Sequence, residues 1–144
     1  MIDLSRMVLL AAVMLSLAGC SRSSAQVAAI QSGEQSYHLG RKAYERNNYE
    51  SAARYFSEAV GWQGLNADLA AEATLLRAKS YIKLGRLEEA MRDLNDARNS
   101  PVPQDEVLLA KAEIAVLQKD LPRARSLYEK ARKVNPAVVV PNSM

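Results

Sequence analysis

The sequence contains one thiol, Cys20, and one imidazole, His38. A single cysteine excludes an intramolecular disulfide. One histidine leaves no Ser-His-Asp triad built on a second one and no metal cluster of the usual His/Cys kind. The neighbouring carboxylates Glu88 and Glu89 could suggest paired acid-base chemistry, but they fall in the first turn of a predicted helix, where the helix dipole favours negative charge. No glycine-rich loop is present to cradle a phosphate. His38 reads as a surface residue of a helix, and Trp62 as filler for the bend after one. These readings make the chain a non-enzyme with no cofactor and no metal.

The elements that would carry any site follow from composition. The chain has 144 residues, 49% apolar, 24% charged and 6% aromatic, enough for one packed domain. Abundant Ala, Leu, Arg, Glu and Lys favour helices. Nineteen basic against sixteen acidic residues give a charge of +3, too small an excess to argue for nucleic acid.

Residues 1–19 have the layout of a secretory signal: Arg6, an apolar run from Met7 to Leu17, then small residues. Eleven helical residues rise about 16 Å, roughly half of a bilayer's hydrocarbon core, so the run is too short to span it. The ending Leu17-Ala18-Gly19-Cys20 resembles the lipobox of bacterial lipoproteins. That resemblance implies cleavage before Cys20, with diacylglycerol on its thiol and a fatty chain such as palmitate on its amine, which removes the thiol from any Cys-His pairing. Several chains hold a protein on a membrane where one holds only marginally. Ser21, standing where that family carries Asp for inner-membrane retention, implies the periplasmic face of the outer membrane. Residues 20–32, opening Ser21-Arg22-Ser23-Ser24-Ala25-Gln26, read as a polar tether.

From residue 33 the apolar pattern has a helical period, and it recurs. A large apolar residue is followed at +3 by Ala, at +7 by an aromatic or Leu, and at +10 by Ala: Tyr49, Ala52, Phe56 and Ala59; Leu87, Ala90, Leu94 and Ala97; Leu121, Ala124, Tyr128 and Ala131. The spacing sets all four on one helix face. With Leu39 and Gly40, Ala78, Tyr81 and Gly85, and Ala112 and Pro136, these positions resemble the tetratricopeptide repeat, a helix-turn-helix unit of 34 residues. The resemblance implies an all-α solenoid of three units, about 33–64, 71–102 and 105–136, followed by a tail, 137–144. Departures are Gly64 and Val102 in place of the closing proline, Ala43 and Ala115 in place of the first helix's tyrosine, and four extra residues near Gly61-Trp62-Gln63-Gly64.

Local signals agree. Ser32-Gly33-Glu34-Gln35 is a capping box, so the first helix starts there or is extended backwards by Val27–Ile30. Asn47-Asn48 and Gly85 suit the turn between the two helices of a unit. Asp120 before Leu121-Pro122 reads as a cap followed by a first-turn proline, and Pro101-Val102-Pro103 as a break between units. Repeat arrays need their last apolar face covered. Val138-Val139-Val140 is expected to fold back over the last helix, or a partner or second copy to cover it.

In the repeat family the first helix of each unit, the A helix, lines a concave face that takes peptides or helices. Carried over by position, that face comprises Glu34, Tyr37, Arg41, Tyr44 and Glu45; Glu72, Leu75, Lys79, Ile82 and Lys83; and Glu106, Leu109, Glu113, Val116 and Leu117. The residues expected to bind a partner are Tyr37, Arg41, Tyr44, Leu75, Lys79, Ile82, Lys83, Glu113 and Val116, with Tyr and Arg well suited to hot spots. The Lys and Asn clamp of chaperone-binding members is not reproduced, because Tyr37 and Arg41 stand there. The expected job is a lipid-anchored scaffold binding protein segments of an envelope machine, such as a pilus or secretion system. Pilotins and assembly lipoproteins of type IV or Tad pili look similar. A regulatory adaptor of a peptidoglycan synthase, hydrolase or protease is the competing reading.

Overall fold

The computed structural model describes residues 24–62 and 65–141. Those residues form six α-helices, α1 Ser24–Glu45, α2 Tyr49–Gly61, α3 Ala67–Lys83, α4 Leu87–Asp96, α5 Gln104–Leu117 and α6 Leu121–Val134, with a 3-10 turn at Ala97–Asn99. The helices form three hairpins, α1–α2, α3–α4 and α5–α6. The first members, α1, α3 and α5, pack successively on one another, whereas α2, α4 and α6 do not touch each other. The all-helical, hairpin-stacked architecture is the one expected from the repeats. No described helix is long and apolar enough to cross a membrane.

The alanine columns explain the close packing. Ala52, Ala90 and Ala124 are wholly buried in the first turns of α2, α4 and α6, and Ala59, Ala97 and Ala131 lie at equally buried positions two turns on. Small side chains let neighbouring axes approach to the short end of the usual 8–10 Å range. Phe56 and Leu94, the +7 residues, centre the two cores. Phe56 packs with Tyr37, Ala73 and Leu76, and it lies so close to α1 that a Cβ on Gly40 would stand 2.7 Å from its ring. Leu94 packs with Leu75, Ile82, Val107 and Ile114 across the second and third units.

Caps set the helix starts. Asn48 Oδ1 accepts from the Ser51 amide (3.2 Å) and Asp120 Oδ1 from the Arg123 amide (3.1 Å), with Pro122 in the first turn of α6. Asn66 caps α3 in the same way. The capping box at Ser32 is not a helix start: α1 begins at Ser24 and runs through it, so of the two readings left open there the backward extension holds. Nine of the thirteen residues read as a polar tether are therefore helical, because Ala25, Ala28 and Ala29 are good helix formers and Gly33 is held against Trp62 and Leu65. Residues 1–19, Cys20 and the rest of that tether up to Ser23 lie outside the described residues. Trp62 ends α2 and remains 43% exposed, lying beside α1 more than filling a hinge. Beyond α6, Val138 and Val140 are half-buried and Val139 is exposed, and the segment runs beside Arg125, Glu129 and Arg132 of that helix. Asn135 holds its start, donating to Asp105 Oδ2 at 2.7 Å and accepting from the Ala137 amide at 3.1 Å.

Candidate functional site

Three of the nine residues expected on the concave face are core residues. Tyr37, Leu75 and Ile82 are 2–3% exposed, because the A helices pack on each other closely enough to enclose them. Tyr37 sits between Phe56, with ring centroids 6.3 Å apart, and His38, at 5.3 Å and edge-on. Its hydroxyl is held above the ordinary tyrosine value, first by burial and then by hydrogen bonding and charge from Glu72, with Arg41 acting in the opposite sense. Arg41 is exposed and stands 3.6 Å from Glu45, one turn away. Val116 is 37% exposed near the end of α5, outside the groove described next.

The other four, Tyr44, Lys79, Lys83 and Glu113, come together. With Glu106, Leu109 and Ala110 of α5 and Tyr128 of α6, they surround a groove of about 310 Å³. Tyr44 forms one end. Its ring is set edge-on against Tyr49 at 5.5 Å, and Tyr49 in turn donates to Asn47 Oδ1 at 2.7 Å, so the aromatic wall is fixed by the turn beneath it. Burial holds the Tyr44 hydroxyl above its ordinary value, with the neighbouring Tyr49 adding to the effect.

Between the walls run two ion pairs linking α3 to α5. Lys79 donates to Glu106, and Lys83 Nζ donates to Glu113 Oε1 at 2.6 Å. The hydrogen bond to Glu113 holds the Lys83 ammonium above its ordinary value. The lysines that the sequence presents as a basic half are thus neutralised from within the chain. A ligand meets paired charge here, so aromatic and apolar contact carries more of the recognition than net charge does.

Tyr128 was not expected at this site. It occupies the +7 column of Phe56 and Leu94, which the following A helix buries in the first two units. No described helix covers α6, and Tyr128 is left half-buried at the groove wall. The repeat column is the signal that could have found it.

Comparison with known families matches residues 37–106 to the tetratricopeptide repeat, a span that runs from α1 into the start of α5. No curated protein and no solved structure gives a match.

Proposed function

We propose that this chain, whose fold is a tetratricopeptide-repeat solenoid, is a non-catalytic scaffold that holds a segment of a partner protein in the groove between Tyr44 and Tyr128. The observation that carries this reading is the groove itself: two tyrosines at its ends, Leu109 and Ala110 between them, and flanking lysines whose charges are already matched. Rigid rings offer contact area at low entropy cost, and neutralised pairs avoid a desolvation penalty that an unpaired lysine would add. The run Leu17-Ala18-Gly19-Cys20-Ser21 supports a finer reading, in which lipid on Cys20 holds the scaffold at the periplasmic face of the outer membrane and its partners belong to an envelope machine such as a pilus or secretion system.

Site-specific photo-crosslinking in cells tests it. A crosslinking residue at Leu109 is expected to trap a defined protein that the same residue at Glu58, on the exposed side of α2, does not trap. Tyr44→Ala/Tyr128→Ala should reduce the adduct about tenfold or more, in keeping with aromatic hot spots. In Cys20→Ala the adduct should move out of the membrane fraction. Identical adducts from Leu109 and Glu58 would remove the groove from consideration, and unchanged fractionation of Cys20→Ala would remove the anchor.

A further inference from the structure

The lysines of the concave groove have counterparts elsewhere that lack a counter-charge. Between Lys119 and Lys133 the chain carries six basic and two acidic residues, more positive charge than the +3 of the whole sequence. Part of this excess is matched locally, as in the Arg132–Glu129 pair at 2.8 Å. Arg123 is not: it reaches from the first turn of α6 into the gap between α4 and α6.

Because α4 and α6 do not touch, that gap is an open groove of about 350 Å³. Leu87 and Met91 form its apolar part, both half-buried and packed against the second core. Arg92, Asn95, Gln118 and Arg123 border it, with Glu88 the one carboxylate, beside Leu87 on α4. Next to Asn95 stands Lys111 of α5, whose ammonium donates to Asn95 Oδ1 at 2.9 Å. The charges acting on Lys111 are those of Arg98 and Arg123, and both oppose its protonation. Together with burial, the larger cause, they hold it below its ordinary value. Neither Arg98, Lys111 nor Arg123 forms an ion pair with any described acidic residue. The nearby Glu89 is engaged by Arg86 at 2.7 Å and is also influenced by Arg92.

Arg92 and Arg123 line the groove, Lys111 is bonded to its Asn95, and the charge of Arg98 acts on Lys111; these like charges repel one another, and an incoming carboxylate would relieve them. The apolar part argues for a ligand with two faces, since an isolated anion would leave Leu87 and Met91 uncovered. We propose that the α4–α6 groove docks an acidic amphipathic segment of a partner protein, its apolar side chains on Leu87 and Met91 and its carboxylates against Arg98, Lys111 and Arg123. This groove shares no lining residue with the Tyr44–Tyr128 groove. The scaffold therefore has two separate surfaces, one charge-neutral and one cationic, and could hold two segments at once.

Fluorescence anisotropy on the full chain in a non-ionic detergent decides the matter. The probes are a labelled helical peptide carrying leucine on one face and glutamate elsewhere, and its counterpart with glutamine in place of glutamate. The glutamate peptide should bind at least about tenfold more tightly than the glutamine one. Arg98→Gln/Arg123→Gln should remove that preference, and Met91→Gln should weaken both peptides. Lys130→Gln/Lys133→Gln removes the same charge from the exposed outer side of α6 and should change affinity less than about twofold, which separates a site from general attraction. Equal losses in the two double variants, or no preference for glutamate, would overturn the proposal. It would also fall if Arg98 and Arg123 governed flotation of the Cys20→Ala chain on phosphatidylglycerol vesicles and left peptide affinity unchanged, for the patch would then serve a lipid surface. Crosslinking from Leu109 is expected to persist in Arg98→Gln/Arg123→Gln, so the two surfaces succeed or fail separately.

Discussion

A two-point charged contact lies inside the molecule. Arg77 of α3 donates twice to Asp93 of α4, Nε to Oδ2 and Nη2 to Oδ1, both at 2.8 Å, and its third nitrogen reaches Ser57 Oγ of α2 at 3.4 Å. One guanidinium therefore ties three helices from two units. The side chains are 19% and 10% exposed, so water screens the pair little, and the hydrogen bond that Arg77 donates to Asp93 holds its guanidinium above the ordinary arginine value. Removing one partner strands the other charge. Asp93→Ala should cost about 3 kcal/mol in denaturant unfolding, whereas Arg77→Met/Asp93→Leu should cost less than Asp93→Ala alone. A double variant less stable than the single one would mean that the pair contributes net attraction. Nothing local in the sequence announces this contact, because its members stand sixteen residues apart on different helices and each looks like an ordinary polar position.

At the scale of elements, the three turns within the units repeat one geometry. Asn47, Gly85 and Lys119 have φ of 58°, 73° and 60°. Each hairpin closes with the same two bonds: the following amide, of Asn48, Arg86 or Asp120, reaches back to the carbonyl of Ala43, Tyr81 or Ala115, and the left-handed residue bonds that of Tyr44, Ile82 or Val116. This is the Schellman pattern, which glycine fills at least cost and asparagine next. Lysine in that conformation is strained. Lys119→Gly should stabilise the protein by roughly 0.5–1 kcal/mol after the entropy that glycine adds to the unfolded chain, and Gly85→Ala should destabilise it by about 1 kcal/mol. Thermal unfolding of both variants checks the pair; a loss of stability in Lys119→Gly would refute the strain. The turns at Asn47 and Gly85 were legible because those residue types prefer the conformation. The turn at Lys119 was legible only through its place in the repeat. The alanine columns and the caps at Asn48 and Asp120 could be read for the same reason, since small size and short polar side chains are local properties. The capping box left the helix start open because Ser-x-x-Gln is also compatible with a helix interior once upstream residues propagate it. Much of the groove lining was legible. Position within the repeat put Tyr44, Lys79, Lys83, Glu106, Leu109 and Glu113 on one face, yet the pairing of lysines with glutamates, and the enclosure of Tyr37, Leu75 and Ile82, depend on how close the helices come.

Across the whole molecule the two junctions between units differ. Between α2 and α3 the packing is extensive, with Ala59, Ala73, Leu69 and Leu76 in one cluster, despite the extra residues in the connection. Between the second and third units fewer residues meet, around the apolar contact of Leu94 with Val107 and Ile114, and polar links add to the joining: Lys79 to Glu106 and Lys83 to Glu113 from α3, Lys111 to Asn95, and the Gln104 amide donating to the carbonyls of Ala97, Ser100 and Val102. Exposed ion pairs contribute at most about 1 kcal/mol each and weaken as salt screens them. Amides of α5 and α6 should therefore exchange with deuterium faster than those of α2 and α3. Raising salt from about 0.1 M to about 1 M should widen the gap. Uniform protection at both concentrations would show a single cooperative block. The early start of α1 bears on reach. Its first nine residues, before Gly33, add about 14 Å of rod to the body, and only residues 21–23 separate that rod from Cys20, a chain length of roughly 10 Å at full extension. On the reading that Cys20 carries the lipid, the solenoid works on a short stalk. It can receive only partners that pass within some tens of ångströms of the bilayer, and it could not search the depth of the periplasm for them.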